Sequence, residues 1–205
     1  PLRLVGSEMC IRDRRQPRNM WADGAEDIDP ETGYATIRSN AQNRYVPNFS
    51  YGKGKIVWNF ESVNMPAGTD GFLYLNGDTW HWNGAANGAG WIQIRIYPQD
   101  STTKSSFKLH YDWTAEEFTL EESMNDIKTI ELDTKVDPED ATKVNVTFSI
   151  NGKVYYSGKK HNAFDLDGHK GVIFYSGFSG PFSPECTIVF KSLDYEVCLL
   201  YTSPS

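Results

Sequence analysis

The chain has no apolar run approaching the roughly 20 residues of a membrane-spanning helix, so no membrane partner is expected. Sustained 3.6-residue periodicity is nearly absent, which excludes a bundle of amphipathic helices. Basic residues are outnumbered, 20 Lys and Arg against 27 Asp and Glu, for a net charge of −7. That balance disfavours a broad polyanion-binding surface, and no nucleic-acid partner is expected. Cysteine occurs three times, at positions 10, 186 and 198. There is no internal repeat and no low-complexity tract.

The two ends bear on how these absences are counted. Cys198-Leu199-Leu200-Tyr201-Thr202-Ser203-Pro204-Ser205 can be encoded by TGT CTC TTA TAC ACA TCT CCG AGC. The reverse complement, read after its first two bases, encodes Ser7-Glu8-Met9-Cys10-Ile11-Arg12-Asp13. Two unrelated termini have no reason to be reverse complements. The shared string resembles the mosaic end of a transposase-based library adapter, so residues 1–14 and 198–205 are expected to be adapter-derived. Such segments are set aside from fold reasoning, as tags are. One domain is then expected over residues 15–197, as a gene fragment whose boundaries carry no information about compartment. Removing Arg3, Arg12 and Arg14, and Glu8 and Asp13, from the 20 basic and 27 acidic residues leaves 17 and 25, a net charge of −8. Cys186 stands alone in that interval, so no disulfide can form within it, and a lone Cys acts most simply as a small hydrophobe.

What is present is β signal. Aromatic content is 14%, and short runs of period two alternate with Gly, Pro, Asn and Asp. Strands are expected at 55–61, 72–75, 91–97, 107–113, 128–133, 143–150, 153–156, 172–175 and 187–195. Residues 115–125 are the one place for a short helix, and Phe118-Thr119-Leu120 reads equally as strand. Many short strands at close turn spacing predict an all-β, two-sheet antiparallel sandwich. A hairpin is marked by Val144, Val146, Phe148 and Ile150 on one side, then Asn151-Gly152 as a type I′ turn, then the return through Lys153-Val154-Tyr155-Tyr156.

That hairpin, Val144 to Val154, resembles the strand–Asn/Asp-Gly-Lys–strand unit of the concanavalin-A-like lectin/glucanase and laminin-G-like jelly rolls. Gly171 to Gly177 and Thr187 to Tyr195 are similar to the last two strands of that superfamily. The resemblance implies two curved antiparallel sheets, the concave one lined with glycan contacts.

Two strands point to the same kind of surface. If Ile92, Ile94 and Ile96 face the core, then Trp91, Gln93, Arg95 and Tyr97 share the opposite face. In residues 107–113 the aromatic and Leu positions suit the core, which leaves Lys108, His110 and Asp112 outside. A symmetric antiparallel register sets Tyr97 opposite Lys108, Arg95 opposite His110 and Gln93 opposite Asp112. Aromatic rings stack on sugar C–H faces, and planar polar groups meet the hydroxyls. Outward Trp and Tyr are also simply good strand formers on a solvated face. Just before this strip, Gly77 to Gly90 is a Gly/Asn-rich stretch carrying Trp80 and Trp82, residues suited to sugar stacking or to plugging the end of the sandwich.

Chemistry is sparser. Laminarinase- and agarase-type glycosidases carry Glu-x-Asp-x-(x)-Glu on one strand. Glu131-Leu132-Asp133 is followed by Lys135 and Val136, not a third carboxylate, and Glu26-Asp27-Ile28-Asp29-Pro30-Glu31 has a proline where a strand must run. Alginate-lyase-type jelly rolls carry Gln-Ile-His or Gln-Val-His, and Gln93-Ile94-Arg95 is similar with Arg in the third place. The resemblance implies Gln93 and Arg95 neutralising a uronate, His110 as base and Tyr175 as acid. No cofactor is expected. Asp165-Leu166-Asp167-Gly168 offers Ca²⁺-type oxygen ligands in a turn of common composition, and His161 and His169 lack a zinc partner set. Asn48-Phe49-Ser50 and Asn145-Val146-Thr147 are glycosylation sequons. The sequence favours an extracellular or cell-surface glycan-binding domain. A polysaccharide lyase or glycoside hydrolase is the alternative, and a structural sandwich of a viral or cell-surface assembly the third reading.

Overall fold

The computed structural model describes residues 8–17, 21–23, 27–38, 44–46, 54–65, 72–76, 92–98, 105–111, 114–140, 142–162, 175–179 and 187–200. Its strands, in chain order, are β1 (Glu8–Arg15), β2 (Trp21–Asp23), β3 (Ala35–Arg38), β4 (Arg44–Val46), β5 (Lys55–Asn64), β6 (Phe72–Asn76) and β7 (Ile92–Pro98). They continue with β8 (Ser105–Tyr111), β9 (Thr114–Thr119), β10 (Thr129–Val136), β11 (Lys143–Ile150), β12 (Lys153–Asn162), β13 (Tyr175–Ser179) and β14 (Thr187–Leu200). A seven-stranded sheet runs β1-β14-β5-β10-β11-β12, with β3 also on β14. A five-stranded sheet runs β13-β6-β7-β8-β9, and β2 pairs with β4. All pairings are antiparallel, and the fold is the jelly-roll sandwich expected from the sequence.

Period two builds the core. Ile56, Trp58 and Phe60 of β5, Ile130 and Leu132 of β10, and Val146, Phe148 and Ile150 of β11 are buried, together with Ile188, Phe190 and Leu193 of β14. Residues between them, such as Lys55, Glu131 and Thr147, occupy the opposite face. At 25 cal/mol per Å², each fully buried large side chain contributes about 1.5–3 kcal/mol, and this one face supplies most of the described apolar burial. The alternation in β5 breaks after Phe60, where Glu61 and Ser62 are both exposed before Val63 is buried. The β5–β14 register shifts on either side of Phe190, and Phe60 and Phe190 meet there with ring centroids 6.0 Å apart. Bulges of this kind bend a strand while keeping its apolar side inward.

The β11–β12 hairpin turns at Asn151 (φ 50°) and Gly152 (φ 79°), the two left-handed positions that a type I′ turn needs. Asn151 does more than turn. Its Oδ1 accepts from the backbone N–H groups of Lys128 and Thr129 at 2.8 and 3.1 Å, and its Nδ2 donates to the Asp126 carbonyl at 2.9 Å. One side chain thereby ties the turn to the start of β10.

Past the turn, a register shift pairs Phe148 with Tyr156 and Ser149 with Val154, so Tyr155 is the extra residue. The bulge lets both Tyr155 and Tyr156 pack against the core. They reach the chain of the other sheet. Tyr156 meets Phe118 of β9 edge-on, with centroids 5.8 Å apart, while the Tyr155 hydroxyl donates to the Glu122 carboxylate and accepts from the Glu121 N–H at 3.3 Å. Burial and then the bond to Glu122 raise the Tyr155 pKa.

Residues 115–125 resolve into β9 and a 3-10 turn at Met124–Asp126, in which Ser123 accepts from the Asn125 N–H and Met124 is buried. β1 pairs with β14 from Glu8 with Leu200 to Arg15 with Leu193 along the edge of the larger sheet, and in its first three pairs, Glu8–Leu200, Met9–Leu199 and Cys10–Cys198, the two end segments read as adapter-coded meet each other. Arg14 binds Asp194 through two 2.7 Å hydrogen bonds, and these raise its pKa. Among the described residues no helix is long and apolar enough to cross a membrane.

Candidate functional site

The five-stranded sheet carries the described members of the sequence-expected strip, Gln93, Arg95, Tyr97, Lys108 and His110, and its pairing arranges them row by row. One row reads Phe178, Leu73, Ile96, Phe107 and Phe118 across β13-β6-β7-β8-β9, and another reads Ser176, Leu75, Ile94, Leu109 and Glu116. Phe118 packs against the core, so these are the inward rows. Between and beside them lie Gly177, Tyr74, Arg95, Lys108 and Glu117 in one row, and Tyr175, Asn76, Gln93, His110 and Ala115 in the next. Glu117 and Thr119 are exposed, which marks the rows they belong to as the outward ones. Tyr97 and Ser106 extend the outward face beside Thr119.

The strands therefore share one sheet, and Ile92, Ile94 and Ile96 take the inward positions. The expected pairs are corrected. Gln93 stands opposite His110, Arg95 opposite Lys108, and Tyr97 opposite Ser106. The symmetric estimate assumed that extended structure ended at Tyr97 and resumed near Phe107. In the structure β7 runs on through Pro98, which pairs with Ser105, and the connection closes over residues 99–104. A displacement of two residues changes partners but leaves every residue on its face. Arg95 and His110 are thus diagonal neighbours on one outward face.

The pairing also places a residue that spacing alone does not tie to the strip. Tyr175 is in the row of Gln93 and His110, although β6 and β7 lie between it and His110, three strand spacings or about 14 Å across the sheet. Three residues missed by the sequence reading, Tyr74, Asn76 and Glu117, occupy the same outward rows. The alternation of Phe72-Leu73-Tyr74-Leu75-Asn76 carried that signal. Trp80, Trp82, Trp91 and Asp112 lie outside the described residues, as do Asn48, Cys186, His169 and the Asp165–Gly168 turn.

The other sheet has a different electrostatic character. On its outward face Lys55 pairs with Glu131 at 2.6 Å, Lys135 with Asp133 at 2.7 Å, and Lys191 with Glu61 at 3.4 Å. The bond to Asp133 raises the Lys135 pKa. The Glu131/Asp133 look-alike is therefore a pair of ion-paired carboxylates, with Lys135 where a third would stand. Asp29 accepts from the Glu31 and Thr32 N–H groups at 2.7 and 3.2 Å, so the second acidic look-alike is a turn, and those bonds lower the Asp29 pKa. An open groove of about 570 Å³ on this face is lined by Arg12, Arg14, Lys55, Val57, Asp194, Tyr195 and Glu196. Two of those residues belong to the segment read as adapter-coded. Among the described residues no three His, Cys, Asp or Glu side chains converge as a metal site.

No protein-family model matches the sequence, and no curated protein matches it. Solved structures do. A prokaryotic β-1,3-1,4-glucanase (lichenase) from a mouse hindgut metagenome superposes with a TM-score of 0.55 at 11% identity, over 90% of this chain and 98% of its own. The laminarinase catalytic domain of Thermotoga maritima gives 0.58 at 10% identity, over 92% and 98%. The κ-carrageenase of Pseudoalteromonas carrageenovora, solved with an oligotetrasaccharide of κ-carrageenan, gives 0.53 at 10% identity, over 97% and 99%. These are concanavalin-A-like jelly rolls, and this chain has their fold.

Proposed function

We propose that the protein binds a polysaccharide through the outward face of its five-stranded sheet. The observation that carries the reading is the register. Tyr74, Arg95 and Lys108, then Tyr175, Asn76, Gln93 and His110, fall in two adjacent outward rows spanning four strands, with Tyr97 beside them. Rows of a sheet are about 7 Å apart along the strand and neighbouring strands about 4.8 Å apart, so the patch has the dimensions of a short run of sugar rings. Tyrosines supply apolar platforms with a polar tip, and the amides and cations supply directional hydrogen bonds. Trp80, Trp82 and Trp91 belong to the proposal as further stacking surfaces, and Asp112 as a further acceptor. Such a partner places the protein's work outside the cell or at its surface.

Cleavage of the glycan is the second reading, and the structural neighbours, a lichenase, a laminarinase and a κ-carrageenase by name, favour it. A retaining or inverting hydrolase needs two carboxyl groups about 5–9.5 Å apart. Among the described residues, the outward strand positions of the five-stranded sheet contain one carboxylate, Glu117. The groups on this face suit β-elimination better, with His110 as base and Gln93 and Arg95, within one strand of it, neutralising a uronate. Tyr175 as acid would have to act across Asn76 and Gln93.

The test is binding and turnover of the full chain against polysaccharides, with unsaturated uronate and reducing ends both followed. Trp91→Ala is expected to weaken binding by about 1–3 kcal/mol if the ring is fully used as a platform. His110→Ala separates the readings. A binder loses a modest part of its affinity, whereas a lyase loses roughly a hundredfold or more in turnover with binding largely retained. Undiminished binding in a variant carrying Tyr74→Ala, Gln93→Ala and Arg95→Ala would refute the assignment of this face.

A further inference from the structure

We infer that the Asn151-Gly152 turn is a modification site, closed in the folded protein, at which Asn151 deamidates when its side chain lets go of residues 126–129. The inference is independent of what the outward face binds. Four Asn-Gly pairs occur in the chain, Asn76-Gly77, Asn83-Gly84, Asn87-Gly88 and Asn151-Gly152. In such a pair the second residue has no Cβ to shield its amide nitrogen, so that nitrogen can reach the Asn carboxamide. It attacks Cγ and forms a C–N bond, the Cγ–Nδ2 bond breaks, and Nδ2 leaves as ammonia with the proton that the Gly nitrogen gives up. Water then adds across either of the two ring C–N bonds of the cyclic imide, leaving aspartate or the isomer in which the backbone runs through the side-chain carbon. Asn151 and Gly152 are exposed, and a Cβ placed on Gly152 would meet no atom beyond its chain neighbours within 4 Å, so water has access to the turn.

The tie to the start of β10 holds the site closed. Asn151 Oδ1 accepts from the N–H groups of Lys128 and Thr129 at 2.8 and 3.1 Å, and Nδ2 donates to the Asp126 carbonyl at 2.9 Å. The Asn151 N–H donates to the Thr129 carbonyl at 2.9 Å. Swinging Cγ onto the Gly152 nitrogen breaks the side-chain bonds, so ring closure in the folded protein waits on a local opening of the turn from residues 126–129. Conversion is also one-way. Aspartate has no Nδ2 hydrogen for the Asp126 carbonyl, and the isomer adds a backbone carbon to a turn that joins Ile150 to Lys153 through Asn151 and Gly152 alone. A turn of that length sets the β11–β12 register, so the modified hairpin cannot rebuild its full tie to β10.

The full chain is aged at neutral pH and raised temperature, both folded and in denaturing guanidinium chloride, and each Asn-Gly pair is followed by peptide mass spectrometry. In denaturant the four pairs should convert at comparable rates. In the folded chain Asn151 should convert at least tenfold more slowly than in denaturant. Amide hydrogen exchange at Lys128 and Thr129 should show protection of at least the same size. Lys128→Pro removes one of the N–H groups held by Oδ1 and should speed the folded-state conversion severalfold, with circular dichroism reporting whether the variant is folded. Converted chain, separated by its added charge, should melt below the parent. Asn151 converting as fast folded as denatured, or unprotected amides at Lys128 and Thr129, would overturn the clamp without recourse to any variant. A folded proline variant with an unchanged rate would overturn the part given to the Lys128 bond. Survival of Asn151 in denaturant while the other three pairs convert would overturn the site itself. Converted chain that melts with the parent would overturn its one-way release from β10.

Discussion

Asn151 offers a quantitative check on how the larger sheet is held together. Its φ of 50° lies where an L-residue with a Cβ costs about 1–2 kcal/mol, a penalty that Asn tolerates and Gly escapes. Its side chain also makes three hydrogen bonds, with the backbone of Lys128, Thr129 and Asp126. The site is solvent-exposed, so each bond is worth near the low end of the usual 0.5–1.5 kcal/mol, roughly 2 kcal/mol for the three. Asn151→Gly keeps the turn and loses the bonds, about 2 kcal/mol. Asn151→Ala loses the bonds and strains the backbone, about 3 kcal/mol. Asn151→Asp keeps the acceptor and the tolerance for positive φ but loses the donor to Asp126, about 1 kcal/mol. For a chain of this length each kcal/mol moves the melting temperature by about 2–4 °C, so the alanine variant should melt about 6–12 °C lower. Urea unfolding followed by tryptophan fluorescence gives the free energies directly. The reasoning fails if alanine is no worse than glycine, or if all three variants fall within about 0.5 kcal/mol of the parent.

Other expectations follow from single features. Tyr155 has a raised pKa through burial and its bond to Glu122, so its neutral form is favoured in the folded state. That stability is fully present below the unfolded tyrosine value near about 10 and is lost as pH rises through the folded value, and Tyr155→Phe should flatten this alkaline loss in a pH-dependent denaturation series. Trp58→Ala empties a site 1% exposed and should cost about 3–5 kcal/mol, enough to show as a large drop in the urea midpoint without a matching change in slope. A chain of residues 15–197 should melt within a few degrees of the full one. The Arg12–Glu196 and Arg14–Asp194 ion pairs it loses involve arginines 75% and 70% exposed, and such pairs contribute about 0–1 kcal/mol each. Collapse of the trimmed chain in calorimetry would show that the β1–β14 pairing is essential to the fold.

The residues differ in how plainly they announce this structure. The β11–β12 hairpin is legible because Asn151-Gly152 is a local chemical signal, and the inward isoleucines of β7 because alternation needs only the strand itself. β2 and β4, three residues each, are too short for any period to emerge. β9 was obscured by Glu116 and Glu117, poor strand formers that Phe118 outweighs by packing on Tyr156. The Tyr155 bulge and its contact with Glu122 depend on how two distant segments meet, which no local pattern encodes. The composition of the candidate face was readable for the same reason as the isoleucines. Its pairings were not, because register is decided by where the connection closes, and Pro98 gives no sequence sign that the strand continues through it.

That closing connection has a consequence for how this surface can diverge. A hairpin re-paired by two residues keeps the core residues inward and the polar residues outward, whereas a re-pairing by one would bring isoleucines to the surface. Changes in the 99–104 connection are therefore filtered by parity. Those that pass would move His110 into place opposite Arg95 where Lys108 now stands, sliding one cation along the other strand by about 7 Å. Lineages carrying this sheet can thus explore the spacing of charges along β7 and β8 in discrete steps of two residues.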